Sequence, residues 1–429
     1  METDQVIAQP AARGLFDLSA FESRNYRLLW ASTIASFAPN PLRFTAGILF
    51  LTNSAPDDFR FLLAGVLGAI SGGVTVIFGT VGGALADRFN RRLLLIASQV
   101  VLVLATVTAA IAMSFDVTAI SLTAFFASVF VGAAALSVDM PTRQALVAEV
   151  VPPAHLANAV ALDSVAMWIT LPLGLPLAGV LVDTLGYGGA YACAAAGYAL
   201  ALLTLIPLRY KPSVSHPPSR PFALVKDVSE GVSYVRGVPP VLWTLVLFFV
   251  VMSLAFPLVA SFGPVWVTEV LDLSASEFGF FAATWGIGAM LASFSMTRAA
   301  RTTHSARLFI AAVILFAVLV LIWAYSRSVV LSAAVNFSLG ASITVAQVTS
   351  RTLIQQAVPF ELQGRVLSLL MLNLAVANIA ALAVGGLAQV ASLEIVTAVL
   401  GWTAFALVVT VVLIRPAIRR IGEIEPAAA

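Results

Sequence analysis

GGALADRFNRR, residues 82–92, joins two long apolar runs. Four of its eleven residues are charged (Asp87, Arg88, Arg91 and Arg92), in a chain of 429 residues of which 10% are charged and 60% hydrophobic. A water-soluble protein needs far more charge than that to cover its surface. A disordered chain would be much poorer in apolar residues. Apolar runs of about 20 residues read as spans crossing a bilayer, with the charges collected in the turns between them. Residues 82–92 are such a turn.

Twelve runs satisfy this criterion: 28–52, 62–86, 93–113, 117–140, 157–182, 188–208, 241–268, 277–297, 307–326, 328–350, 365–390 and 393–414. They are continuous, without the alternation a membrane barrel requires, so the class is all-α integral membrane. With the N-terminus inside, the inner segments carry twenty Lys and Arg residues and the outer loops carry two, Arg60 and Arg327. The positive-inside rule then puts both termini in the cytoplasm. The outer loops are short and acidic, with Asp57, Asp58, Asp116, Asp183, Glu269, Asp272, Glu277 and Glu394. Residues 1–27 lack the short apolar core and cleavage site of a signal peptide, so the first span is expected to stay as an anchor. A net charge of +2 offers nothing to nucleic acid, and the one cysteine, Cys193, reads as a packed small residue.

The chain divides into a cytoplasmic segment 1–27, a six-span unit 28–208, a linker 209–240, a second six-span unit 241–415 and a tail 416–429. The linker opens as RYKPSVSHPPSRP and continues with Val225, Val228, Val232 and Val235 on one helical face, the pattern of an amphipathic helix on the inner surface. A shift of 207 residues lays TRQALVAEVVP (142–152) on TSRTLIQQAVP (349–359), with Thr142, Leu146, Val151 and Pro152 matched and Gly179 falling on Gly386. Duplicated six-helix bundles with a cavity between them form an alternating-access architecture.

In this setting GALADRFNRR resembles the signature loop of the major facilitator superfamily. Gly83, Asp87, Arg88, Arg91 and Arg92 match its pattern, and Asn90 stands where the second glycine falls. Asn tolerates left-handed backbone, so the turn is expected to survive the exchange. FESRNYRLLW, PTRQALVAEVVP and ELQGRVLSL are similar to the enterobactin-exporter-type, multidrug-efflux-like branch. The resemblance implies two pseudo-symmetric six-helix bundles in a bacterial plasma (inner) membrane. It also implies a latch, in which Asp87 faces the positive N-terminus of helix eleven when the inner side closes. Gly83 is expected to let helix two pack closely on a neighbour. The plainer reading of Arg88, Arg91 and Arg92 is that they fix topology.

Ionisable residues inside spans are costly and mark function by default. Asp139 and Asp163 stand twelve residues on either side of the inner turn near residue 151, so they share a depth and could hold a proton between them. Asp139 can instead pair with Arg143 one turn away as a structural lock, leaving Asp163 as the better proton carrier. Arg43, with Asn40, follows the helix-breaking Pro39 and Pro41. It is expected either to face the cavity and meet an anionic group or to snorkel toward a loop acid. WITLPLGLPLAG (168–179) loosely resembles the efflux members' Gly/Pro-rich motif through Gly174, Pro176 and Gly179, and its plain reading is close helix packing. Trp168, Trp266, Trp285, Gln347 and Asn373, with Phe256, Phe262, Phe280, Phe281 and Met290, are expected to give a cavity of mainly apolar lining.

The three histidines, His155, His216 and His304, lie far apart in inner loops, and no nucleotide loop, nucleophile elbow or metal cluster is present in the sequence. The expectation is a transporter without cofactor, monomeric in the lipid bilayer, using a proton gradient to export a small amphipathic molecule. Lipid translocation on the same scaffold is the alternative, and a non-transporting receptor or scaffold a weaker one.

Overall fold

The computed structural model describes residues 18–209, 223–299 and 305–415. Twelve spans cross the apolar layer. α1 is broken into Arg24–Phe37 and Pro39–Ser54, because Pro39 has no amide hydrogen to carry the helical bond on and fits the first position of a new helix. α2 is Arg60–Arg88, α3 Arg91–Met113 and α4 Ala119–Val150. Leu156–Leu205 holds two spans, α5 (156–185) and α6 (187–205), divided at Gly186, whose φ of 70° favours glycine. A linker helix, Ala223–Gly237, leads into α7, which runs as Pro239–Val250, a π turn Val251–Ala255, Phe256–Ala260 and Gly263–Glu269. α8 is Ala275–Ala299, α9 Ser305–Tyr325, α10 Val329–Ala357, α11 Phe360–Val390 and α12 Leu393–Ile414. Ten of these helices, counting α5 and α6 as one and leaving out the broken α1, are each long and apolar enough to span a bilayer.

α4 and α10 run well past the apolar limits at 140 and 350 that hydropathy sets. α4 continues through Pro141 to Val150, and α10 continues to Ala357. TRQALVAEV is amphipathic, and a helix leaving the bilayer keeps its hydrogen bonds whatever its hydropathy. Thr142 Oγ1 donates to the Val138 carbonyl (2.7 Å), holding the turn across the proline. The residue 207 places on does the same, since Thr349 Oγ1 donates to Val345 O (2.6 Å). The turns that follow also match, Val151 at φ −115°, ψ 135° and Val358 at −114°, 131°.

The end of the molecule with the arginine-rich turns is the basic end; the opposite one, with the short acidic loops, is the acidic end. The linker helix docks at the basic end of α11. Glu230 pairs with Arg365 at 2.6 Å, and a Cβ on Gly231 would stand 3.1 Å from the Arg365 carbonyl. The linker's 210–222 stretch lies outside the described residues.

Candidate functional site

The two halves meet at the acidic end. α2 and α11 touch backbone to backbone: a Cβ on Gly65 would lie 2.6 Å from Ala381 O, and one on Gly72 2.6 Å from Ala375 O, while Gly385 abuts Phe61 O. α5 and α8 do likewise, with Gly179 against the Ala275 carbonyl and Gly279 against Pro176. Gly174 faces Pro41 of α1, where a Cβ would sit 2.8 Å from the ring. Gly174, Pro176 and Gly179 are thus packing positions against α1 and α8. Polar contacts rim this seam. Arg60 pairs with Glu269 at 2.8 Å, the Ser276 amide donates to Asp183 (2.7 Å), and Gln389 donates to Asp57 O (2.6 Å).

Toward the basic end α2 and α11 part. Among the described residues, a Cβ on Gly79, Gly83 or Gly364 would meet nothing within 4 Å. Gly83 therefore packs on no described neighbour. The packing glycine is Gly82, which abuts Ser137 of α4, because it is turned about 100° from Gly83 around the helix. Asn90 is not left-handed either. At φ −59° it is the N-cap of α3, accepting from the Arg92 and Leu93 amides at 3.0 and 3.2 Å. Arg91 pairs with Glu149 (2.6 Å) and donates to Ala86 O (3.1 Å), tying the turn to α4. Arg92 donates to Ile206 O (2.6 Å) at the end of α6. Arg88 is exposed, and the Asp87 side chain lies outside the described set.

Within the N-terminal half the two acids have different surroundings. Asp139 is 1% exposed and meets Arg143 Nε (3.1 Å) and Nη2 (3.2 Å), Gln99 Nε2 (2.8 Å) and the Ser98 hydroxyl (3.0 Å), whose proton is shared with Leu95 O (2.9 Å). Arg143 Nη1 reaches on to Ser32 Oγ (3.1 Å), so one network joins α1, α3 and α4. Asp163 is half-buried on the wall of a cavity of about 320 Å³ that it shares with Thr33, Phe37, Met140, Arg143 and Met167. Its partner is the Tyr26 hydroxyl at 3.3 Å, whose single proton lies closer to Ala159 O (2.8 Å).

Arg43 and Asn40 are brought together by Tyr198. Arg43 Nη1 donates to its hydroxyl (3.1 Å), which donates to Asn40 Oδ1 (3.0 Å). Among the described residues Arg43 has no carboxylate partner, and its buried Nε has no acceptor. A separate, apolar cavity of about 250 Å³ lies between α1, α5, α7, α8, α9 and α10, with Phe44, Phe256, Phe281, Trp285, Trp323 and Asn336 in its wall. Trp285 thus faces this cavity. Trp266 lies one layer behind, 1% exposed and 6.2 Å from the Trp323 ring, because its helix presents the other face. Phe262 is fully buried and Phe280 is turned outward at 63% exposure. Asn373 is buried on α11 and Gln347 half-buried on α10, apart from this wall; the Trp168 side chain lies outside the described residues. Phe44, Trp323, Asn336, Tyr198 and Glu149 were not singled out from sequence. Asn336 alone carried a signal, as an amide within a span.

A family model described as Major Facilitator Superfamily matches residues 32–382. No curated protein sequence matches the chain. Among solved structures, a mutant of the nucleoside transporter NupG aligns with TM-score 0.73 at 12% identity, covering 91% of this chain and 100% of that one. A bacterial homologue of the human lysosomal transporter Spinster, inward-facing and unoccupied, aligns at 0.69 and 15%, covering 94% and 97%. A D-xylose–proton symporter aligns at 0.66 and 14%, covering 91% and 97%. At these identities the likeness shows the fold alone.

Two outcomes follow from the geometry. Asp139→Asn leaves a buried guanidinium uncompensated, and unfolding of the purified protein is expected to become easier by about 3–5 kcal/mol. Adding Arg143→Met should recover part of that loss, and a single variant as stable as the parent would remove the lock. At the acidic end, burial raises the Glu269 carboxyl above its usual range, Arg60 opposing and Asp57 adding to it. Opening that end hydrates Glu269 and returns it toward the ordinary value, so the closed form binds the proton more tightly. Acidification toward the raised value therefore favours closure. Spin labels on the acidic ends of α2 and α7 should draw together between about pH 7.5 and about pH 5, and Glu269→Gln should abolish the change. Separation on acidification would contradict the assignment.

Proposed function

The chain belongs to the major facilitator superfamily and is a multi-pass membrane transporter rather than an enzyme; on that premise we propose that it exports small amphipathic molecules in exchange for protons, by alternating access. The observation that carries the proposal is the contrast between its two intramembrane acids. Asp139 is saturated with donors, so a proton arriving there would break a network. Among the described residues Asp163 has one shared donor, and it has an open cavity beside it, so it can hold or release a proton with little rearrangement. The apolar, aromatic cavity beside Trp285 suits a bulky amphipathic substrate. Export, rather than uptake, rests on the resemblance to the efflux branch. The excess of arginine supports a cytoplasmic placement of the basic end, and the resemblance to the efflux branch supports a bacterial plasma membrane as its setting.

The seam between α2 and α11 gives the form of the basic-end closure. Gly65 stands opposite 381–382 and Gly72 opposite Ala375, an antiparallel register in which every step along α2 is matched by a step back along α11. Extended by about 16 Å of helix, that register sets Gly83 opposite Gly364, the two glycines that now face open space. Four residues further, Asp87 comes to Phe360, the first residue of α11, where a carboxylate is favoured by about 0.3–1 kcal/mol. The latch is thus a continuation of a contact already half made.

Two experiments test this. In proteoliposomes, Asp163→Asn should abolish uphill transport of a lipophilic fluorescent dye driven by a proton gradient, while downhill exchange and the folded state persist. Undiminished gradient-driven transport would exclude Asp163 as the coupling site. In a Cys193→Ser background, Gly83→Cys with Gly364→Cys should form a disulfide that holds the acidic end open, since such a bond needs Cα atoms within about 7 Å. A cross-link from Gly79→Cys to Gly364→Cys in its place would show the register to be wrong.

A further inference from the structure

A recess of about 760 Å³ lies at the basic end of the N-terminal half, away from the cavities described above. Its walls are the first residues of α1 (Arg24, Asn25), the start of α3 (Arg92), the end of α4 (Glu149, Val150) and the segment after α6 (206–209). Three guanidinium groups, those of Arg24, Arg92 and Arg209, surround it. The acid in its wall, Glu149, is engaged by Arg91 at 2.6 Å. Arg24 and Arg209 are exposed and have no carboxylate partner among the described residues.

The frame is rigid. The Asn25 side chain donates to Arg209 O (2.7 Å) and accepts from the Arg209 amide (3.2 Å). Ser23 Oγ, the N-cap of α1, donates to Val150 O (2.8 Å). Arg92 covers the free carbonyls of Leu205 and Ile206, which cancels the negative end of α6. Two helix N-termini, those of α1 and α3, point their positive ends into the recess. The C-terminus of α4, at Glu149 and Val150, also borders the recess, so the helix dipoles offset one another and the positive field comes from the guanidinium groups, chiefly those of Arg24 and Arg209.

The rim of the recess faces the lipid. Ile206, Leu203 and Leu200 form an exposed line up α6 at 55, 60 and 55% exposure, and Leu93 of α3 stands beside the recess at 59%. We propose that this recess binds the phosphate headgroup of an anionic phospholipid from the leaflet at the basic end, with its acyl chains along α6. Free phosphate shares the charge chemistry, but the recess is larger than one phosphate needs and opens onto an apolar wall. Basic pockets between spans at the cytoplasmic side bind anionic headgroups by this combination.

The test is binding by native mass spectrometry to the full chain in detergent, with phosphatidylglycerol, phosphatidylcholine of the same chains, and inorganic phosphate. Phosphatidylglycerol should bind more tightly than phosphatidylcholine. The Arg24→Gln/Arg209→Gln variant should weaken it roughly five-fold per arginine, roughly 25-fold for the pair. Arg24→Lys/Arg209→Lys should keep most of the affinity. Unchanged melting of the Gln variant in phosphatidylcholine separates lost binding from lost fold. Equal binding of the two lipids, or a Gln variant with parental affinity, would overturn the proposal. Stabilisation by inorganic phosphate as strong as by phosphatidylglycerol would assign the recess to a free anion instead.

Discussion

Everything else in the structure depends on the backbone contact between the halves at the acidic end. In lipid there is no hydrophobic drive to bring two apolar helices together, because the solvent is as apolar as they are. Close approach and shape decide, and a small residue on one helix, glycine above all, lets two helix backbones touch. Gly65 and Gly72 on α2, facing Ala381 and Ala375 on α11, meet that condition. So does Gly179 on α5, which meets the first turn of α8. The Arg60–Glu269 pair and the Gln389 bonds sit half-buried at the rim of this seam and fix its register more than they drive it together.

Charge inside the layer is divided just as sharply. The Asp139–Arg143 network has a partner for each charge and welds α1, α3 and α4 into one body. Such a network resists change, which suits a bundle that moves as a unit. Asp163 and Arg43 lack this saturation, and both lie in the N-terminal half. The aromatic cavity lies mainly in the C-terminal half, with α1 and α5 closing its other side. Charge and apolar contact are therefore carried by different bundles.

The number of spans and their bundle arrangement were legible because each run must bury about 20 residues in hydrocarbon, which leaves a plain mark on hydropathy. The ends of α4 and α10 were not, because TRQALVAEV and SRTLIQQA mix polar with apolar residues, and hydropathy does not mark where such a helix stops. The Asp139–Arg143 pair could be anticipated from its four-residue spacing alone. Which of two adjacent glycines packs, Gly82 or Gly83, depends on the rotation of α2, which its nearly uniform apolar surface does not reveal. Trp266 and Trp285 look alike in sequence, and only the tertiary contacts separate a buried core ring from a cavity wall. Asn90 was read through the glycine it replaces, whereas its side chain does something glycine cannot, capping α3.

One helix links the two kinds of site. α5 carries Asp163 near its basic end and Gly179 near its acidic end, roughly 24 Å apart at 1.5 Å per residue. Between them lie Pro172 and Pro176, each removing a helical hydrogen bond and leaving the helix able to bend. Both prolines also touch α8, Pro176 at Gly279 and Pro172 at Gly286. Leu171 and Leu175, on the intervening turns, form part of the apolar cavity wall. In the proposed role of Asp163 as proton carrier, a change of its charge acts on the same rod that seals the acidic end and lines the apolar cavity. Coupling needs no chain of side chains across the protein, because a tilt or bend of α5 alters all three places at once.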